Sequence, residues 1–175
     1  TMAGIIVFLV STLFIDLFKH FIGHEYWGGL GVVPILLLAN LFLGMVVNLS
    51  IWYKLTDQTM KGAWVAIGGS VVTIVLNILL IPVIGIMGSA WATLACYFTM
   101  AVASYVLGQK YYPVNYPIKR VAAYLLSGLF IYAGISWISS ELSTEVYYGL
   151  ATISCLLFMT VAFFVERKEW GEWGV

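Results

Sequence analysis

The sequence predicts an all-α, polytopic transmembrane helical bundle of six spans, on three observations. Apolar residues make up 62% of the 175-residue chain and charged residues 9%, against about 25% charged in soluble domains. Mean hydropathy is +1.01. The few charges are also clustered, leaving charge-free runs at 1–15, 26–53, 62–109, 121–140 and 146–165, while a membrane helix needs about 20 apolar residues. The formal net charge is zero, which excludes a basic nucleic-acid binder on bulk charge.

The spans follow from these runs in chain order. The first covers about 3–18, and the absence of a basic region before it argues against a secretory signal. The second covers about 32–53. The 48 residues between Lys61 and Lys110 would make one helix of about 72 Å, more than twice the hydrocarbon thickness, so the chain must fold back once. Pro82, Gly85 and Gly88 mark the reversal, since proline removes a donor and glycine adopts turn dihedrals. The third and fourth spans are then about 63–81 and 86–107. A polar loop with Pro113 and Pro117 precedes the fifth, about 121–138, and the sixth covers about 146–165.

Sidedness follows from lysine and arginine. With alternating loops, one side holds Lys54, Lys61, Lys110, Lys119, Arg120, Arg167 and Lys168, and the other only Lys19. Counting carboxylates as well, the first side sums to +3 and the second to −3. Both ends of the segment and the 54–61 and 109–120 loops are therefore expected in the cytoplasm. Aromatic residues at the span ends, among them Trp52, Tyr53 and Trp64 at one loop, suit headgroup depth.

Soluble-enzyme signatures are absent: there is no phosphate-binding glycine loop, no His-Glu-x-x-His and no CxxC pair, so neither metal nor cofactor is expected. Cys96 and Cys155 lie inside charge-free runs and read as small apolar side chains. The Asn48-Leu49-Ser50 sequon sits within a span and is discounted. Asp16, His20 and His24 share a helical spacing. An interfacial role suits them better than a metal site, which needs further ligands; Asp16 alone is a candidate intramembrane carboxylate.

More informative are polar and small residues at helical spacing inside spans. Asn40, Gly44 and Asn48 recur every four residues, and Gly62, Ala66, Ser70, Thr73 and Asn77 follow steps of four, four, three and four. Each set lines one helix face. One reading is close helix packing with interhelical hydrogen bonds, favoured for Gly62, Ala66 and Ser70. The other is a wetted cavity, equally open for Asn40, Asn48 and Asn77. A stripe of Ser89, Thr93, Cys96, Met100, Ser104 and Gly108 in the fourth span reads as packing.

The stretch from Asn48 to Asp57, the span holding Asn77 and closing on Ile81-Pro82, and the run Gly85-Ile-Met-Gly-Ser-Ala-Trp-Ala-Thr93 resemble the C-terminal part of bacterial polysaccharide flippases. These are O-antigen and capsule repeat-unit translocases of the multidrug/oligosaccharidyl-lipid/polysaccharide exporter (MATE-like) superfamily. The resemblance covers most of residues 10–125 and is weaker over the last two spans. It implies a two-lobed, non-enzymatic transporter of the bacterial inner membrane, with an undecaprenyl-diphosphate-linked oligosaccharide as cargo. Its family commonly has 14 spans, of which these six would be the ninth to fourteenth, so that Thr1 begins partway through a longer protein and the missing N-terminal spans are a partner. On this reading Asn40, Asn48, Thr73, Asn77 and Asp16 are the cavity candidates. Lys54, Lys61, Lys119 and Arg120 form a cytoplasmic basic face toward membrane lipids. Family members often line the cavity with basic residues; no Lys or Arg lies at mid-span here, so neutralising the diphosphate would fall to other spans. A multidrug cation antiporter, a membrane-embedded glycosyltransferase or ligase, and a structural membrane subunit are the competing readings.

Overall fold

A computed structural model describes residues 2–15, 23–111, 118–138 and 144–170. The described residues are helical, with α1 (Met2–Leu13), a 3-10 helix (His24–Val32), α2 (Val33–Leu49), α3 (Ile51–Leu55), α4 (Thr59–Ile84), α5 (Ile86–Tyr111), α6 (Ile118–Ile138) and α7 (Thr144–Trp170). Helix is the expected outcome for such apolar segments, because it satisfies every backbone group within the segment where no water can. Hydroxyls follow the same logic. Thr12 donates to the Phe8 carbonyl at 2.6 Å, Ser70 to Ala66 at 3.0 Å, Thr73 to Gly69 at 3.0 Å and Thr93 to Ser89 at 2.9 Å.

Four helical segments are long and apolar enough to cross a bilayer: Trp27–Leu55, Thr59–Ile84, Ile86–Tyr111 and Lys119–Trp137. They correspond to the second to fifth expected spans. The first and sixth are present as shorter apolar helices, Ala3–Leu13 and Val146–Val161. At 1.5 Å per residue the 12 residues of α1 reach only about 18 Å, so the described part of the first span falls short of a crossing. By its helices this is a membrane protein, with four segments long and apolar enough to cross among the described residues where six spans were expected.

Two compact units are formed. One comprises residues 24–116 and the other residues 1–23 with 117–175. In the 24–116 unit α5 is the central helix, packing α2 on one side and α4 on another. Its pairing with α2 is parallel: Gly31 lies against Met87, the Phe42 and Phe98 rings meet edge to face at 5.3 Å, and Trp52 lies against Gly108, with the same separation in sequence each time. Its pairing with α4 is antiparallel, Gly69 meeting Cys96 and Met100, and Leu80 meeting Gly88.

The reversal between α4 and α5 is narrower than expected. Pro82 lies inside α4 and Gly88 inside α5, and Gly85 alone makes the turn, at φ 58° and ψ −135°. A side chain is strongly disfavoured in that region, so only glycine suits a one-residue reversal. The Gly85 N–H donates to the Ile81 carbonyl and the Gly88 N–H to the Gly85 carbonyl, both at 2.9 Å. These bonds close the end of α4 and begin α5.

In the other unit α1 packs against α6 and α7. Ile5, Leu9 and Leu13, one turn apart, are each 1% exposed and form the seam. Phe8 meets Tyr132 edge to face at 5.7 Å, Phe14 stacks on Tyr148 at 6.0 Å, and the Tyr147 hydroxyl donates to the Leu13 carbonyl at 3.1 Å. Ala151, Cys155 and Phe158 supply the buried face of α7.

Candidate functional site

Within the 24–116 unit the packed seams and the polar stripes do not coincide. The buried residues of α2 are Ala39, Leu41 and Val46, while Asn40, Gly44 and Asn48 are all exposed. At 100° per residue these three lie on the side of α2 turned away from Phe42 and its partner Phe98 on α5. A Cβ added at Gly44 would meet nothing within 4 Å. Asn48 is partly satisfied, its Nδ2 donating to the Gly44 carbonyl at 3.0 Å. The Asn40 side chain makes no hydrogen bond among the described residues.

Helix α4 differs in a similar way. Its buried residues are Val65 and Gly69, whereas Ala66 and Ser70, expected to pack, are exposed. The contact with α5 therefore runs along the row one residue earlier, where Gly69 admits the two sulfur side chains Cys96 and Met100, and the Cys96 thiol donates to the Gly69 carbonyl at 3.2 Å. Ser70 and Thr73 spend their hydroxyls on their own helix, as above. Asn77 does not: its Oδ1 is buried and has no hydrogen-bond partner. The α5 stripe does pack as read, with Cys96, Ser104 and Gly108 buried.

On α4 the distinction is between hydroxyls and amides; on α5 the Ser104 hydroxyl is itself buried without a hydrogen-bond partner. A serine or threonine inside a helix can return its proton to the carbonyl one turn back, and needs nothing else. An amide has two donors and an acceptor, too many for its own helix to satisfy. Asn40 and Asn48 thus keep unused hydrogen-bonding capacity on a face that α5 does not cover, and Asn77 keeps it at a half-buried position, whereas Thr73 does not. Amide groups turned toward hydrocarbon are costly, so the α2 face suits a polar partner or water.

No protein-family model matches this chain, nor does any curated protein or solved structure. The site is therefore defined by its own chemistry.

The remaining candidates are distributed as follows. Asp16 and His20 lie outside the described residues; the His24 and Trp27 rings meet with centroids 3.9 Å apart, tilted by 31°. No group of three or more His, Cys, Asp or Glu gathers among the described residues. Lys119 and Arg120 are exposed in the first turn of α6, and Lys54 is exposed at the end of α3. Lys61 is half-buried: its ammonium donates to Gln58 Oε1 and sits 2.8 Å from the centre of the Tyr111 ring.

The two tryptophans beside the 54–61 loop differ in their packing: Trp64 is 66% exposed, whereas Trp52 is only 2% exposed. Its indole lies over Gly108 and stacks on Tyr111 with centroids 5.9 Å apart and an interplanar angle of 11°. Gly108 was readable as a small residue at the end of a stripe. That it receives Trp52 depends on α2 running parallel to α5, which no local pattern announces.

Proposed function

We propose that this chain is a segment of a lipid-linked oligosaccharide flippase of the MATE-like superfamily, a non-enzymatic transporter that moves undecaprenyl-diphosphate-linked repeat units across the bacterial inner membrane. The observation that carries the reading is the exposed Asn40–Gly44–Asn48 face. It offers neutral hydrogen bonds at mid-span, on a helix whose packing needs are already met on its other side. Sugar hydroxyls are donors and acceptors at once, and amides complement both roles. In this reading Asn40, Asn48, Thr73 and Asn77 contribute to the wetted surface. Lys54, Lys61, Lys119 and Arg120 hold the cytoplasmic ends at the anionic leaflet.

Deleting the gene should leave lipid-linked repeat units on the cytoplasmic face of the membrane, and the wild-type gene should restore surface polysaccharide. Complementation with the double variant Asn40→Leu and Asn48→Leu should restore insertion but reduce export about tenfold, the order expected when two neutral hydrogen bonds of about 0.5–1 kcal/mol each are lost. Normal surface polysaccharide in a deletion strain without a second flippase, or full complementation by the double variant, refutes the proposal.

Orientation has its own test. Cys96 and Cys155 are both buried, so single cysteines placed at Thr59 and Ser139 should dominate labelling. A membrane-impermeant maleimide applied to intact cells should react at position 139 and spare position 59. The reverse pattern would invert the assignment of sides.

A further inference from the structure

We infer that the end of the 24–116 unit formed by α3, the start of α4 and the end of α5 is a binding site for the phosphate-bearing headgroup of an anionic phospholipid. The inference depends on the chain lying in a membrane, not on the cargo proposed above.

Its basis is a convergence of cations on a rigid aromatic platform. Trp52 is wedged over Gly108, Tyr111 stacks on Trp52, and Tyr53 lies over Gly62, where an added Cβ would be 2.7 Å from the ring. Trp52 and Tyr53 meet edge to face at 5.2 Å. Three helix ends are thus tied together by rings. Two ammonium groups approach the Tyr111 ring, Lys61 at 2.8 Å and Lys110 at 5.7 Å from its centre. Lys54 is exposed on the short α3 that also carries Trp52 and Tyr53.

A single ring attracts a cation, but two ammonium groups drawn to one ring repel each other, and a carboxylate between them would be the usual remedy. Among the described residues none pairs with Lys54, Lys61 or Lys110; the nearby Asp57 is exposed in the α3–α4 turn and makes no ion pair. Lys61 spends one of its three protons on Gln58, leaving donors for an incoming oxygen. A phosphodiester supplies what is missing, an anion with several acceptor oxygens. A lipid is the fitting source because the exposed faces beside the site are apolar, with Trp64 66%, Leu55 68% and Met60 70% exposed, which suits acyl chains below a headgroup. Basic pockets between membrane helices hold anionic lipids on the same principle.

The experiment is native mass spectrometry of the purified chain, released from nanodiscs of phosphatidylglycerol and phosphatidylcholine in equal amounts. One phosphatidylglycerol should be retained in preference to phosphatidylcholine by about a hundredfold, near fivefold for each of three lysines. Lys61→Gln with Lys110→Gln should reduce the preference to about fivefold, and Lys54→Gln, at an exposed position that the fold does not need, should weaken it by about fivefold. Arg167→Gln with Lys168→Gln removes the same charge elsewhere and should leave the preference intact. Equal retention of both lipids, or an equal loss in the two double variants, overturns the site. Displacement of phosphatidylglycerol by millimolar inorganic phosphate would assign the residues to a soluble anion and overturn the lipid.

Discussion

Replacing Gly88 by valine should unfold the α4–α5 hairpin at far milder conditions than the wild type, with a loss of about 3 kcal/mol or more. A Cβ at this position would lie 2.6 Å from the Leu80 carbonyl carbon, 2.7 Å from its oxygen and 2.9 Å from the Ile81 nitrogen. All three are backbone atoms, so the clash cannot be relieved by turning a side chain aside. The helices must separate, and separation acts against the fixed one-residue turn at Gly85 only three positions earlier. Overpacking of a core usually costs about 1–3 kcal/mol; rigid backbone on both sides places this case at or beyond the upper end. Pro82 adds to the sensitivity, because it already removes one hydrogen bond from the last turns of α4. Gly44→Val is the internal control, since its Cβ meets nothing within 4 Å, and should change the unfolding midpoint little. Unfolding in mixed detergent micelles, followed by helical circular dichroism, distinguishes the two. A Gly88→Val protein as stable as Gly44→Val would show that the hairpin contact is not as close as described.

The elements of this fold were readable because charge is expensive in a bilayer and therefore marks where helices end. Lys54, Asp57 and Lys61 set the α3–α4 boundary, and a 48-residue charge-free run implied a reversal on length alone. The packed faces were much less legible. In water, an apolar stripe identifies the side of a helix that is buried; in lipid the solvent is as apolar as the interior, and hydrophobicity no longer discriminates. Helix α4 illustrates this, with Ile67, Val71, Ile74 and Ile78 all more than half exposed while Val65 and Gly69 are buried. A stripe of small and polar residues then becomes the natural guide. It succeeded on α5, where Ser104 and Gly108 pack, and was displaced by one residue on α4, where Gly69 and not Ala66 or Ser70 approaches its neighbour. The sequence also gave no sign that α5 would separate α2 from α4. Helices adjacent along the chain commonly pack together, but α2 runs parallel to α5, and that pairing is what leaves the asparagine face of α2 uncovered. The candidate residues were thus identifiable as types, amides at mid-span, while their surroundings depend on a long-range pairing.

The second large effect is expected at Trp52, and two substitutions there should diverge sharply. Trp52→Ala should cost about 3–5 kcal/mol, the range for truncating a fully buried aromatic side chain. The indole is 2% exposed, fills the space over Gly108 and supports the Tyr111 ring, so its loss opens a cavity bounded by a glycine that cannot fill it. Trp52→Phe should be much milder, about 1 kcal/mol or less. Part of the ring volume is kept, and the substitution removes a liability, because the indole Nε1 proton is buried without an acceptor and an orphaned buried donor costs about 1–3 kcal/mol. The gain from deleting that donor offsets much of the lost packing. Tyr111 provides the coupling measurement. If the two rings support one another, Trp52→Ala and Tyr111→Ala together should destabilise by less than the two separate losses combined, since the first substitution already removes what the second would break. Strict additivity would mean that the stack contributes nothing beyond the burial of each ring. A Trp52→Phe protein as damaged as Trp52→Ala would mean that the indole N–H has a partner and is itself what holds α3 against α5.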